Sequence, residues 1–375
     1  MFPALTVQSP IGVPHPSVFL TVGYVSYAMR QREDHAGGHP CRRPTAGRPT
    51  NLALLVLVPL AVLTGLFANT IGTDWVLDPA AVHGVVAVAI ALLSPWKSMV
   101  IRRGLRRRTP DRWVSVGLLL LVFSTLATGA VHAGGYQGRI GPLTVMQVHV
   151  GGALIALALV VVHYRSHPVQ PRPQDLTRRS LLRTAGLAGL ASMALAEWET
   201  ALNVAGVSGG ERRFTGSHER GSFDPRRLPV TSWLDDHVQH IGADEWILRV
   251  GERSLTLDEV AAMPHENLTA VLDCTSAWYS EQAWSGIRLD RLVDPATCAS
   301  IEVRSATGYT RRLPSRDLDR TWLVTGVGGE PLSAGHGYPA RIVAPGRRGF
   351  WWVKWATTIT PSDLPWWIQS PFPLT

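Results

Sequence analysis

Cys274 closes an apolar run, Val271-Leu272-Asp273-Cys274, and the polar pair Thr275-Ser276 follows it. A cysteine at a strand end can serve as a nucleophile or as a soft ligand for a transition metal. On its own such a cysteine is more often core packing, so its neighbours decide. Trp284-Ser285-Gly286-Ile287-Arg288-Leu289 follows after a short gap. Much later come His336-Gly337-Tyr338-Pro339-Ala340-Arg341, then Pro345-Gly346-Arg347-Arg348-Gly349-Phe350, then Val353-Lys354-Trp355. Arg341, Arg347, Arg348 and Lys354 are cations, and Gly346 and Gly349 permit close backbone approach. The block reads as a cradle for an anion such as the phosphate of a cofactor. Cys298 stands in no such pattern and reads as structural.

A second chemistry-bearing set is His83, His132, His149 and His163, each inside or at the end of an apolar segment. His149 and His163 are fourteen residues apart, ~21 Å along a helix and on nearly one face. That spacing suits haem ligands at two membrane depths. No second histidine stands at the depth of His163, so the expectation is one haem b near the outer surface. His149 pairs with His83 in this reading, with His132 as the other candidate. The plain alternative is interfacial or quinone-binding histidines.

The elements that position these groups divide the chain in two. Of 375 residues, 46% are hydrophobic and only 17% charged, below the ~25% charged share of ordinary soluble proteins. This composition excludes a largely disordered protein, and three cysteines exclude a disulfide scaffold. The net charge of +8 does not point to nucleic acid, because the basic residues flank apolar segments. Asn51–Gly72, Pro79–Ile101, Arg112–Gly134 and Pro142–Tyr164 each approach the ~20 residues that cross a bilayer as a helix.

Basic residues set the orientation. Arg30, Arg32, Arg42, Arg43 and Arg48 precede the first span. Lys97, Arg102, Arg103, Arg106, Arg107, Arg108 and Arg112 surround the middle loop, and Arg165, Arg172, Arg178, Arg179 and Arg183 follow the fourth. The other two loops carry Asp74, Asp78 and Arg139. The N-terminus and the middle loop are therefore read as cytoplasmic.

The division expected is 1–50, a disordered cytoplasmic segment; 51–165, a four-helix membrane domain binding haem b; 166–205, a linker and a fifth membrane segment; and 206–375, a soluble domain. The fifth segment is Leu181–Ala196, and Thr177-Arg178-Arg179-Ser180-Leu181-Leu182-Arg183 before it resembles a twin-arginine export signal. The soluble domain then lies outside. Trp246–Val250, Leu268–Leu272, Ser300–Val303, Thr321–Val324 and Ala340–Val343 read as its strands, with short helices at Leu257–Met263 and Leu289–Leu292. His218, His237, His240 and His265 read as surface residues and Asp235-Asp236 as a solvated turn.

The cysteine followed by W-x-G-x-x-L, then H-G-x-P-x-R, a P-G turn and V-K-W, resembles the molybdopterin domain of the sulfite oxidase family. The resemblance covers about residues 210–375 and is nearest to the bacterial membrane-associated branch, with its periplasmic methionine sulfoxide reductase and haem-containing partner. The membrane half resembles cytochrome b561-type anchors in architecture. The resemblance implies a mixed α+β, strand-rich domain after a transmembrane helical bundle. It implies Mo-molybdopterin, with Cys274 as the thiolate on molybdenum and Thr275 beside it. His336, Arg341 and Lys354 would contact the pterin and its phosphate, and the Arg347, Arg348, Gly349, Phe350 turn would close over it. Sulfite-oxidising members place a tyrosine after V-K-W, whereas here Trp366-Trp367-Ile368 stands there.

The function expected is oxygen-atom transfer outside the cytoplasmic membrane by a multi-pass protein. A small S-oxide or N-oxide would be reduced with electrons from the quinone pool, or another carrier, through haem. The alternatives are a sulfite-type dehydrogenase, a non-catalytic sensor and a haem-only electron carrier. Membrane lipid is an expected partner and nucleic acid is not.

Overall fold

The computed structural model describes residues 47–72, 78–105, 112–166, 168–232 and 236–370. The expectation of a disordered cytoplasmic segment over 1–50 falls almost wholly outside these residues, as do Arg106, Arg107, Arg108 and Asp235.

Four helices are long and apolar enough to cross a membrane: α1 (Arg48–Thr70), α2 (Pro79–Leu105), α3 (Arg112–Ala133) and α4 (Val145–Ser166). Leu63, Leu120 and Phe123 turn outward and are more than 60% exposed. Such exposure is unfavourable in water and neutral against lipid tails. Pro59 and Pro95 lie inside α1 and α2 without ending them. α1 packs on α2 and α4, and α3 packs on α4 and α2. A two-stranded hairpin, β1 (Arg139–Ile140) and β2 (Leu143–Thr144), joins α3 to α4. The fourth span therefore begins at Val145 rather than at Pro142, because the chain first turns at Gly141 (φ +61°).

The fifth helix, α5 (Arg178–Val204), is longer than expected at both ends. Thr177 caps it, its hydroxyl accepting from the Ser180 N–H, and the helix formers Glu197, Trp198 and Glu199 prolong it past Ala196. It packs along α2, where Gly84 leaves room for the Leu195 side chain. It is not among the four helices apolar enough to span. Arg48 pairs with Asp175 at 2.7 Å, tying the start of α1 to the linker before α5.

The rest of the chain is strand-rich. Its elements are β3 (His218–Glu219), β4 (Ile247–Val250), β5 (Arg253–Thr256), α6 (Leu257–Ala262), β6 (Glu266–Cys274), β7 (Trp278–Arg288), β8 (Ser300–Ser305), β9 (Thr310–Pro314), β10 (Trp322–Val327), β11 (Glu330–Pro331), β12 (Arg341–Val343) and β13 (Ala356–Ser362). One sheet runs β11-β10-β7-β3, with β6 paired to β7 and β12 to β10. The other runs β5-β4-β13-β8-β9, with β4 and β13 parallel. Leu248, Ile301, Val303, Leu313, Leu323, Ile342 and Ile359 are fully buried in one continuous core.

The longest strand, β7, escapes the sequence reading. Its residues alternate in burial, but Ser280 and Gln282 occupy inward positions, so the apolar alternation that signals a strand is absent. Gln282 Nε2 is held there by donating to the Gly221 and Ser280 oxygens at 2.6 and 2.9 Å. The 289–292 segment is a single 3-10 turn, Leu289–Arg291, rather than a helix.

The strand domain sits on the end of the bundle away from Arg48, Arg102 and Arg165. The Ala80 N–H donates to Phe214 O at 3.2 Å, Arg220 Nε donates to Gln137 Oε1 at 2.9 Å, and Gly72 lies against the Gly346–Arg347 backbone.

Candidate active site

β6 and β7 form an antiparallel hairpin whose last pair is Cys274 and Trp278. The loop is Thr275-Ser276-Ala277, with Ala277 N–H donating to Cys274 O at 3.1 Å and Ala277 at φ +68°. A three-residue loop ending in a left-handed residue is a common hairpin closure. It places Cys274 at the rim of the sheet, 9% exposed. Its Sγ accepts from the Ser276 N–H at 3.4 Å and lies 3.4 Å from Thr231 Oγ1. Gly349 packs directly on the cysteine, where a Cβ would meet Cys274 Cα at 3.2 Å.

Under the cysteine lies a buried charge network. Asp273 accepts from Thr215 Oγ1 at 2.7 Å, from Ser217 Oγ at 2.6 Å and from Arg348 Nη1. Arg348 Nη2 donates to Cys274 O at 3.1 Å. Arg348 thus holds the strand end from below.

Cys274 opens into a cavity of about 270 Å³. Thr275, His336, Arg341, Gly349, Phe350 and Lys354 all line it, as do Thr231, Trp278, Trp352 and Asp236. Arg341 is fully buried; it donates to His336 O at 3.1 Å and Trp352 O at 3.3 Å, and burial lowers its pKa to about 10. Lys354 Nζ donates to Thr231 O at 2.8 Å and Gly335 O at 2.6 Å. Burial, reinforced by the Arg341 charge, brings its pKa down to about 7. His336 Nε2 donates to Leu228 O at 3.0 Å, so Nδ1 accepts from the Ser333 hydroxyl at 2.8 Å. Burial lowers its pKa, in keeping with a neutral ring.

The residues fit an anionic, acceptor-rich cofactor. Arg341 Nε and Trp278 Nε1 are buried donors in the cavity lining with no acceptor among the described residues, and buried donors are rarely left so. Arg341 and Lys354 have no carboxylate partner among the described residues. Arg347 does not line the cavity; it pairs with Asp317 and stacks over Trp351, 4.6 Å from the ring centroid.

Of the membrane histidines, His83 and His149 meet, with ring centroids 6.0 Å apart. His149 Nδ1 lies 2.9 Å from Thr125 O, and His83 Nδ1 lies 3.2 Å from Thr64 Oγ1. Gly65 and Gly129 face the two rings, a Cβ at each coming within 3.1 and 2.9 Å. His132 is 4.9 Å from His218, centroid to centroid. His163 lies at the far end, its Nδ1 3.4 Å from Ser115 Oγ.

Two surface assignments from the sequence are corrected. His218 is 1% exposed, because β3 pairs in parallel with β7 at the junction with the bundle. Its ring nitrogens face His132 O at 3.0 Å and Ser208 O at 3.1 Å. Asp236 is half-buried and lines the cavity rather than lying in a turn. No local signal marks either residue, since both positions depend on pairing distant in sequence.

Residues 235–366 match the oxidoreductase molybdopterin-binding domain family. Mitochondrial sulfite oxidase from Drosophila melanogaster is 28% identical over 146 residues, which is 30% of this chain and 26% of that protein. The chain thus spans about a quarter of the length of the curated relative it matches. The sulfane dehydrogenase SoxCD from Paracoccus pantotrophus matches at 22% identity and a TM-score of 0.31, over 34% of this chain and 40% of that one. The match to the oxidoreductase molybdopterin-binding domain family thus lies within the strand domain, whose Cys274 cavity would hold Mo-molybdopterin. The matched domain indicates an oxidoreductase, and among the described residues four helices are long and apolar enough to span a membrane.

Proposed function

We propose that this chain catalyses oxygen-atom transfer at the extracytoplasmic face of the cytoplasmic membrane, reducing an S-oxide or N-oxide with electrons from quinol through haem b. The observation that carries the reading is the placing of the Cys274 cavity directly on the bundle end that holds His83, His132 and His149. Gln147, from the first turn of α4, reaches the cavity wall itself.

Molybdopterin, when bound, supplies the two-electron chemistry and the site where oxygen is exchanged. This chain's residues do the rest. Cys274 is the ligand. Arg341 and Lys354 hold negative charge at the cavity floor, Trp278 offers an N–H, and the Asp273–Arg348 network fixes the strand end. Trp352, Phe350 and Trp355 line the walls and exclude water, which strengthens each of these electrostatic contacts.

Haem b is part of the proposal, supported by the donor set. His83 and His149, whose ring centroids lie 6.0 Å apart, are the residues that would hold it. Nδ1 of each ring is held on its own side, leaving Nε2 as the ligand atom. The cytochrome b561-like anchor and the outward orientation belong to the same reading, as do export by the Arg178-Arg179 signal and the fifth segment as a signal anchor. The quinone pool, membrane lipid and a small oxidised sulfur or nitrogen substrate are the partners proposed.

The test is molybdenum per chain in protein from a host that makes molybdopterin, beside Cys274→Ser. Near-stoichiometric metal in the parent is expected, with oxide reduction lost in the variant. A folded, haem-loaded parent without molybdenum refutes the reading. Direction is read from the haem band: sulfoxides or N-oxides reoxidise it in the proposed direction. The reverse, a sulfite-type dehydrogenase, is favoured by the name of the curated relative and predicts reduction of the haem by sulfite.

A further inference from the structure

A second cavity, about 520 Å³, lies at the junction of the two halves and shares Thr231, Ser276, Trp278 and Pro229 with the Cys274 cavity. Its bundle side is His132, Gln137, Thr144 and the start of α4, where Val145 is buried and Met146 half-buried. Its other side carries Arg220 and Arg227. Neither arginine has a carboxylate partner among the described residues. Arg220 is held across the junction by Gln137 Oε1 at 2.9 Å.

The two cations are brought together by one backbone feature. Gly221 sits at φ +62°, and a Cβ there would lie 2.7 Å from the Arg227 carbonyl group. Only glycine lets the turn after Arg220 close on Arg227. Trp278 lines both cavities, is 5% exposed, and its Nε1 has no acceptor among the described residues. Among the described residues no carboxylate side chain lines the chamber. The lining therefore combines donors and cations with the apolar surface of Met146 and Pro229. The chamber also has far more room than a bare inorganic oxyanion needs.

We propose that this chamber is a vestibule to the Cys274 cavity that selects an amphipathic carboxylate: Arg220 and Arg227 take the carboxylate, and Met146 and Pro229 take the hydrocarbon. The substrate half of this inference rests on the proposed function. The oxide reduced is then an organic S-oxide or N-oxide that also carries a carboxylate.

The experiment uses the full chain, molybdopterin-loaded and in detergent. Acetate, propionate and butyrate are titrated calorimetrically into the parent, Arg220→Gln, Arg227→Gln and Arg226→Gln. Arg226 is a charge-matched control, its side chain 95% exposed and outside the chamber. Affinity is expected to rise about two- to fourfold per methylene against the apolar wall. Binding is expected to weaken about tenfold or more in R220Q and R227Q, and to persist in R226Q. In turnover, the preference of kcat/KM for methylsulfinylacetate over dimethyl sulfoxide falls in R220Q and R227Q through KM and stays in R226Q.

Butyrate binding no tighter than acetate overturns the amphipathic reading, and sulfate binding as well as butyrate marks a plain anion site instead. Unchanged binding in R220Q and R227Q overturns the vestibule. The titrations need no turnover. If neither oxide is reduced while the carboxylate series behaves as stated, the proposed reaction fails and the vestibule stands.

Discussion

Asp273→Asn isolates the support beneath Cys274. Asp273 and Arg348 have side chains 3% and 2% exposed and are paired. Arg213 Nε stands 3.3 Å from the same carboxylate. The asparagine keeps the shape and the hydroxyl contacts but removes the charge. Arg348 is then a buried cation whose remaining partners are neutral oxygens, Cys274 O at 3.1 Å and Ser217 Oγ at 3.3 Å. Removing one partner of a buried pair costs ~3–5 kcal/mol. At ~2–4 °C per kcal/mol for a domain of this size, Tm falls by about 6–20 °C. The assay is thermal unfolding of the cofactor-free chain, since bound cofactor would add its own stability. The double variant Asp273→Leu, Arg348→Met removes both charges together and is expected to be more stable than Asp273→Asn. A loss below ~1 kcal/mol for Asp273→Asn, or a double variant less stable than the single, refutes the argument.

Two further outcomes follow from the site. Lys354 has its pKa lowered to about 7 in the cavity. Uptake of a phosphate-bearing cofactor is therefore flat below that pH and weakens as pH rises through it, by up to ~tenfold per unit. The same depression makes the cofactor-free fold gain stability as pH rises from about 7 towards the unfolded lysine value. Lys354→Arg carries cofactor uptake to higher pH, and binding titrations across pH check it. Tyr309 is buried, and its hydroxyl donates to Phe350 O. Tyr309→Phe is expected to cost ~1–3 kcal/mol by orphaning that carbonyl, measurable by urea unfolding.

The division of this chain into apolar helices and a strand domain is written in composition, because a helix in lipid must be apolar over its whole length. The four spans were legible to within a few residues for that reason. Cys274, His336, Arg341, Gly349, Phe350 and Lys354 share one cavity, and the sequence grouped them through a motif resemblance that rests on their types and order. Pairing and register were not legible. β7 carries Ser280 and Gln282 inward because Gly221 O and the hairpin offer them partners, which no local pattern announces. Arg347 and Arg348 are adjacent in sequence and identical in type, yet one stacks on Trp351 while the other lies beneath Cys274. His218 and Arg220 gained their places only when β3 paired with β7 against the bundle. Local residue types determine which chemistry is possible. Contacts between segments far apart in sequence decide which side chains share a cavity, because burial and hydrogen-bond partners exist only once the chain has packed.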